Sequence, residues 1–119
     1  MVTKAIVLTS VLAVASALVA APAVRAAGQD PGLAQKGEAL YGAQKCMVCH
    51  AIAGKGNKNN PLDKVGAKLS AAETREWIVN PVEMAKKSQS KGKPPMPAKY
   101  SKLAPAEIDA LVAYMQSLK

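Results

Sequence analysis

The chain has 119 residues and a formal net charge of +8, which allows one small domain and excludes a multidomain protein. It contains one tryptophan, three tyrosines and no phenylalanine, so its side chains alone would build a thin core. A chain of this kind needs a covalent staple or a prosthetic group to fold.

The first 26 residues resemble a secretory signal peptide in their pattern. Lys4 precedes an uncharged apolar stretch that ends in small residues, and we predict cleavage after Ala26, with a cut after Ala23 as second choice. An uncleaved membrane anchor is the alternative, because the stretch is intermediate in length between a signal and a spanning helix. No stop-transfer cluster follows it, which favours cleavage and export to the periplasm.

The mature chain is therefore expected to be a single domain over residues 27–119. Loss of Lys4 and Arg25 lowers its net charge from +8 to +6. We find no internal repeat in it and expect no stable membrane insertion after the signal is removed.

The first predicted helix begins after Asp30, a favoured N-cap residue, with Pro31 at the first helical position. Leu33, Gly37 and Tyr41 then share one face. A glycine inside a helix costs about 1 kcal/mol relative to alanine. Gly37 therefore predicts the close approach of another helix.

Two further helices are predicted from their starting residues. Ser70 and Glu73 form a capping-box pattern for a helix that extends to about Asn80, where Pro81 stops it or opens a short further turn. Pro105 opens the last helix, which has one apolar face. The residues of that face are Ile108, Leu111, Val112, Met115 and Leu118.

Residues 51–68 and 86–104 are predicted to be irregular, because glycine, asparagine, proline and lysine are frequent there. No segment alternates with period two for long enough to indicate a sheet. The predicted fold class is all-α, with three to four helices and two long loops. Loops of this length in a small domain are usually functional or enclose something.

The residues that carry chemistry are Cys46, Cys49 and His50, which form a C-x-x-C-H motif. Residues three and four apart share a face of a helical turn, so these side chains can point at one flat ligand. The motif is the attachment signature of c-type haem. The two thiols would form thioethers with the haem, and the imidazole would bind its iron.

Three other interpretations of the motif are less consistent with the sequence. A thioredoxin-like redox site requires a βαβ context, which is missing, and a zinc site would lack a fourth ligand. A structural disulfide is compatible with export. Both cysteines and the only histidine of the chain lie within five residues, which favours haem over all three.

On these residues the chain resembles class I monohaem cytochromes c over nearly all of residues 27–119. The resemblance implies a small helical bundle around one covalent haem, an axial methionine on a loop before the last helix, and a last helix that crosses the first. In that family a glycine and an aromatic residue of the first helix meet an aromatic residue of the last, and Gly37, Tyr41 and Tyr114 match these positions. It also implies an electron-transfer protein rather than an enzyme.

Methionine is the natural sixth ligand to the iron, because the chain has no second histidine. Met96 is the candidate, since neighbouring prolines restrict its loop. Met84 is the alternative, and in a further interpretation both methionines are packing residues and the iron is open. Met47 lies inside the attachment motif, and Met115 is expected in the core.

The resemblance also implies groups around the haem. A backbone carbonyl of a proline after the motif would hold the second ring nitrogen of His50, and Pro61 is the candidate. Trp77, Tyr100 and Lys99 are candidates for hydrogen bonds to the haem propionates. Trp77 is the best of them, because a buried indole N–H needs a partner, although it could equally be a core residue of the second helix.

Positive charge is concentrated where no acidic residue occurs, between Glu83 and Glu107. A basic ring near the haem edge would steer docking onto redox protein partners with acidic surfaces, and a solvated basic loop is the alternative. Nucleic-acid binding is disfavoured, because the domain is expected to be exported. The lysines of this positively charged segment between Glu83 and Glu107 are Lys86, Lys87, Lys91, Lys93, Lys99 and Lys102.

Three functions are compatible with this sequence. The first is a diffusing periplasmic one-electron carrier, and the second is a haem subunit or dedicated acceptor of an oxidoreductase complex. The third is a haem with an open sixth position that binds gas or turns over peroxide. We expect the first, and the protein is then a monomer; in the second it is a subunit of a complex. The third is disfavoured, since no distal histidine or arginine is placed for peroxide chemistry.

Overall fold

A computed structural model describes residues 30–119, which are mostly helical. The predicted signal segment, with both candidate cleavage sites, lies outside the described residues. The α-helices of the described part are α1 (Pro31–Ala43), α2 (Val65–Lys68), α3 (Ala71–Val79), α4 (Pro81–Lys87) and α5 (Pro105–Ser117). Two short 3₁₀ helices cover Cys46–Val48 and Ala98–Lys102, and strands β1 (Ala51–Ile52) and β2 (Lys55–Gly56) form an antiparallel hairpin.

The capping residues begin α1 and α3 as predicted. An Asp30 carboxylate oxygen accepts hydrogen bonds from the backbone N–H groups of Gly32, at 2.9 Å, and Leu33, at 3.3 Å. At α3, the Ser70 hydroxyl accepts from the Glu73 N–H at 3.1 Å, and the Glu73 carboxylate accepts from the Ser70 N–H at 2.8 Å. These bonds satisfy backbone donors that a helix start leaves unpaired.

The structure differs from the prediction in the two connecting segments. Residues 51–68 contain the small hairpin and the one-turn helix α2, and residues 86–104 contain the second 3₁₀ helix. Pro81 opens the seven-residue helix α4, which is one of the two outcomes predicted for it. The hairpin turns at Ala53 and Gly54, whose φ angles are +50° and +76°. Two positive φ angles match the right-handed twist of the strands, but alanine rarely adopts a positive φ, so this turn could not be predicted from its residue types.

The core lies where α5 packs against α1 and α3. A Cβ atom added to Gly37 of α1 would lie 1.9 Å from the carbonyl oxygen of Ala110 in α5, so only glycine permits this contact. The predicted aromatic pair is also present, because the rings of Tyr41 and Tyr114 lie 5.8 Å apart in an edge-to-face arrangement. The buried core cluster consists of Tyr41, Ile78, Ile108, Leu111, Val112 and Met115.

None of the helices between residues 30 and 119 combines the length and the apolar character that crossing a membrane requires.

Replacement of Gly37 by alanine should strongly destabilise the domain. The added methyl group would overlap the backbone of α5, which cannot move without separating the two helices, and we expect a loss of about 3 kcal/mol in the free energy of unfolding. Gly42→Ala in the same helix is the matched control, because nothing lies within 4 Å of its added Cβ. Urea unfolding should show this control to be neutral or more stable, and equal midpoints for the two variants would contradict the close packing.

Candidate functional site

A cavity of about 310 Å³ lies between residues 46–50, which we call the attachment turn, helices α3 and α5, and the segment of residues 90–100. Most of its wall is apolar and includes Leu62, Ile78 and Leu111. The thiol-bearing Cys46 and the imidazole-bearing His50 also line it. An apolar cavity with a few such groups suits a large flat ligand that is anchored at defined points.

The attachment turn folds as predicted. The backbone N–H groups of Cys49 and His50 both donate to the Cys46 carbonyl oxygen, at 3.1 and 2.9 Å, so the motif closes into a single helical turn. Both cysteines are free and half-buried, and Cys49 is not part of the cavity wall. Burial raises the pKa of the Cys46 thiol. Burial disfavours the charged thiolate, whereas a thioether carries no charge and would suit this position.

One hydrogen bond orients the imidazole of His50. Its Nδ1 lies 3.1 Å from the backbone carbonyl oxygen of Asn60, which can only accept, so Nδ1 carries the proton and Nε2 is the nitrogen available to a metal. Burial lowers the pKa of His50, and the bond to Asn60 opposes that shift in part. The imidazole is therefore neutral at neutral pH, as a metal ligand must be.

The prediction that Pro61 supplies this carbonyl is wrong by one residue. Ala51 pairs with Pro61 in an isolated parallel bridge, and the Leu62 N–H donates to the Ala51 carbonyl at 2.8 Å. This register brings the carbonyl of Asn60 to the imidazole. The backbone register of an irregular segment does not depend on a recognisable pattern of side chains. The sequence could therefore indicate the segment that supplies the carbonyl, but not the residue.

The four methionines of the described part have different surroundings. Met96 is half-buried and lines the cavity, whereas Met84 lies on α4 and is not part of the cavity wall. Met115 is buried in the core, as expected, and its side chain also borders the cavity. Met47 is 46% exposed. Met96 is therefore the only methionine on a loop that meets the cavity within residues 30–119.

The residues predicted to contact the propionates have different environments. Trp77 on α3 is half-buried and lines the cavity, and its indole N–H has no hydrogen-bond acceptor among the described residues. The Tyr100 hydroxyl donates to the Gln44 carbonyl at 3.4 Å, so its single proton is already used. The Lys99 ammonium lies 5.2 Å from the centre of the Tyr100 ring. Tyr100 thus anchors its segment to the end of α1.

The predicted lysines are all exposed, and several flank the cavity wall. Ser90, Gly92 and Pro94 line the cavity, and Lys91 and Lys93 alternate with them in the chain. Lys86 pairs with Glu83 at 2.9 Å, and both side chains are largely exposed. An exposed pair of this kind is weak, so the segment keeps its positive field.

The residues present fit a covalently attached haem. The cavity wall provides the Cys46 thiol, a neutral imidazole with one free nitrogen, and the Met96 thioether, and the Cys49 thiol lies on the same helical turn at C-x-x-C spacing. A zinc site is not supported, because no three His, Cys, Asp or Glu side chains converge as metal ligands in the part of the chain that the structure describes. Fold and site together define an all-α haem protein of the c type.

Comparison with known proteins agrees with this class. A family model described as Cytochrome c matches residues 34–119, which include the attachment motif, the cavity wall and Met96. The chain therefore belongs to the cytochrome c family of electron-transfer proteins, with covalently bound haem c as its cofactor. Searches of curated proteins and of solved structures gave no match.

Proposed function

We propose that this protein is an exported one-electron carrier whose haem iron is bound by His50 and Met96. The observation that carries the proposal is that these two side chains line one apolar cavity, with the Nδ1 of His50 already held by Asn60. Carriers work best when both axial ligands remain in place in both oxidation states, because little then has to reorganise. A methionine ligand also raises the reduction potential.

The haem, when bound, supplies the couple between ferric and ferrous iron. The chain's own residues hold the ligands and exclude water. The Asn60 carbonyl fixes the ring of His50, and the neighbouring prolines Pro95 and Pro97 restrict the backbone on either side of Met96. Apolar side chains such as Leu111 and Ile78 keep the site poor in water.

The basic segment supports a preference for acidic redox partners. Six lysines lie between residues 86 and 102, and the same segment forms one wall of the cavity. A positive field beside the site of electron exit would raise association rates and make them sensitive to salt.

Reversal of one charge in this segment tests the docking proposal. Lys93→Glu changes the charge at this position by two units. At about 10 Å from one acidic group of the partner in water, this change weakens the interaction by about 0.8 kcal/mol, so association should slow about fourfold at low salt. Lys36→Glu on α1 is the matched control, because it is exposed and changes the net charge equally. Stopped-flow reduction by a small acidic flavoprotein measures both rates. Equal slowing by both variants would mean that only the net charge matters.

We also propose that the carrier is periplasmic after removal of residues 1–26. The support is the basic start, the apolar stretch and the small residues at the predicted cleavage site. The mass of the haem protein from the periplasmic fraction should equal residues 27–119 plus one haem. Recovery of the full chain in the membrane fraction would favour an uncleaved anchor.

A further inference from the structure

The small hairpin β1–β2 brings Asn57 back against the attachment turn. The Asn57 backbone N–H is shared between the carbonyl oxygens of Met47 and His50, at 3.1 Å each. Its side-chain Nδ2 donates to the Val48 carbonyl at 3.4 Å. One residue therefore binds three carbonyl groups of the turn that bears the haem ligand.

Gly56 permits this close approach. A Cβ atom on Gly56 would lie 2.2 Å from the His50 carbonyl oxygen and 2.9 Å from that of Met47, and its φ angle is +105°. The Tyr41 hydroxyl donates to the same His50 carbonyl at 3.3 Å, which adds a contact from α1. The backbone of His50 is thus held from two directions.

Asn57 also shapes the segment that holds the imidazole. Its side-chain Oδ1 accepts from the Asn59 N–H at 3.1 Å, and its carbonyl accepts from the Asn60 N–H at 3.4 Å. The Asn60 carbonyl in turn accepts from Nδ1 of His50. A continuous series of hydrogen bonds therefore connects the backbone of His50, through Asn57 and Asn60, to the imidazole of the same histidine.

We propose that Asn57 is a positioning residue that sets the Asn60 carbonyl against the His50 imidazole and so fixes the orientation and donor strength of this axial ligand. The proposal rests on the His50 ligation proposed above. A hydrogen bond from the second ring nitrogen makes an imidazole a stronger donor, which favours ferric iron. Loosening of the Asn57–Asn60 turn should weaken that bond although no ligand is changed.

The test uses the haem-loaded protein and three variants. Asn57→Ala removes both side-chain bonds, whereas Asn57→Ser keeps a hydroxyl that can accept from the N–H two residues ahead. Asn59→Ala is the matched control, because the Asn59 side chain makes no hydrogen bond within residues 30–119. NMR of the ferrous protein measures hydrogen exchange of the His50 Nδ1 proton, with the buried Leu111 amide as the reference for global opening.

We expect Asn57→Ala to speed exchange of the Nδ1 proton about tenfold relative to the Leu111 reference, as the loss of one hydrogen bond predicts, and to shift the reduction potential upward. Asn57→Ser should restore most of the protection, and Asn59→Ala should leave both quantities unchanged. Unchanged exchange in Asn57→Ala, or parallel acceleration of the reference amide, would overturn the positioning role. A wild-type protein without ring-current-shifted His50 signals would instead overturn the ligation itself, and with it this inference.

Discussion

Without attached haem, the domain should lose most of its helical structure. The cavity of about 310 Å³ lies against the buried core, and at about 24 cal/mol per Å³ an unfilled volume of that size would cost up to about 7 kcal/mol. A domain of about 90 residues has a total stability of roughly 5–13 kcal/mol. The unfilled cavity could therefore cost half or more of that stability.

The double variant Cys46→Ala/Cys49→Ala measures this dependence, because it removes both attachment thiols. Its far-ultraviolet circular dichroism, recorded in the absence of haem, should resemble that of an unfolded chain. Met47→Ala/Val48→Ala is the matched control on the same turn, since these side chains are 46% and 66% exposed. The control should attach haem and remain helical. A haem-free double variant with near-native helical signal would show that the polypeptide core suffices.

Replacement of Met96 by alanine should open the iron to added ligands. The cavity wall has no other methionine on a loop within residues 30–119, so water or carbon monoxide would bind the vacated position. Loss of the thioether should also lower the reduction potential on the order of 0.2 V, a fraction of the roughly 0.8 V span that axial ligands control. Visible spectroscopy and a redox titration measure both effects.

Met84→Ala is the control for the Met96 variant. Met84 lies on α4, outside the cavity wall, and its replacement should leave the spectrum and the potential unchanged. If Met84→Ala instead opened the iron while Met96→Ala did not, the assignment of the two residues would be reversed.

Short-range sequence patterns predicted the helices that position the site. Asp30, Ser70 and Glu73 are capping residues whose hydrogen bonds form within three positions of the chain, so α1 and α3 could be placed from the sequence. Gly37 predicted a close helix contact, because a glycine in mid-helix is costly without one. The apolar period of α5 predicted its buried face, which includes Ile108 and Val112.

The features that the sequence did not predict depend on long-range backbone contacts. Strands of two residues are too short for an alternating pattern, and the positive φ of Ala53 runs against its usual preference. The carbonyl that binds His50 comes from Asn60 rather than Pro61, because of a backbone register that includes the pairing of Ala51 with Pro61. Asn57 was visible only as part of a segment rich in asparagine and glycine, because its partners lie in the attachment turn.

The visible absorption spectrum of the haem-loaded protein tests the central claim most directly, first in the ferric form and then in the ferrous form with carbon monoxide. Ligation by His50 and Met96 predicts a low-spin, six-coordinate ferric haem with the weak red band of a methionine–iron bond, and no carbon monoxide binding. A high-spin ferric form that binds carbon monoxide readily once reduced would contradict the account, because the sixth position would then be open and a sensor or catalytic function would follow.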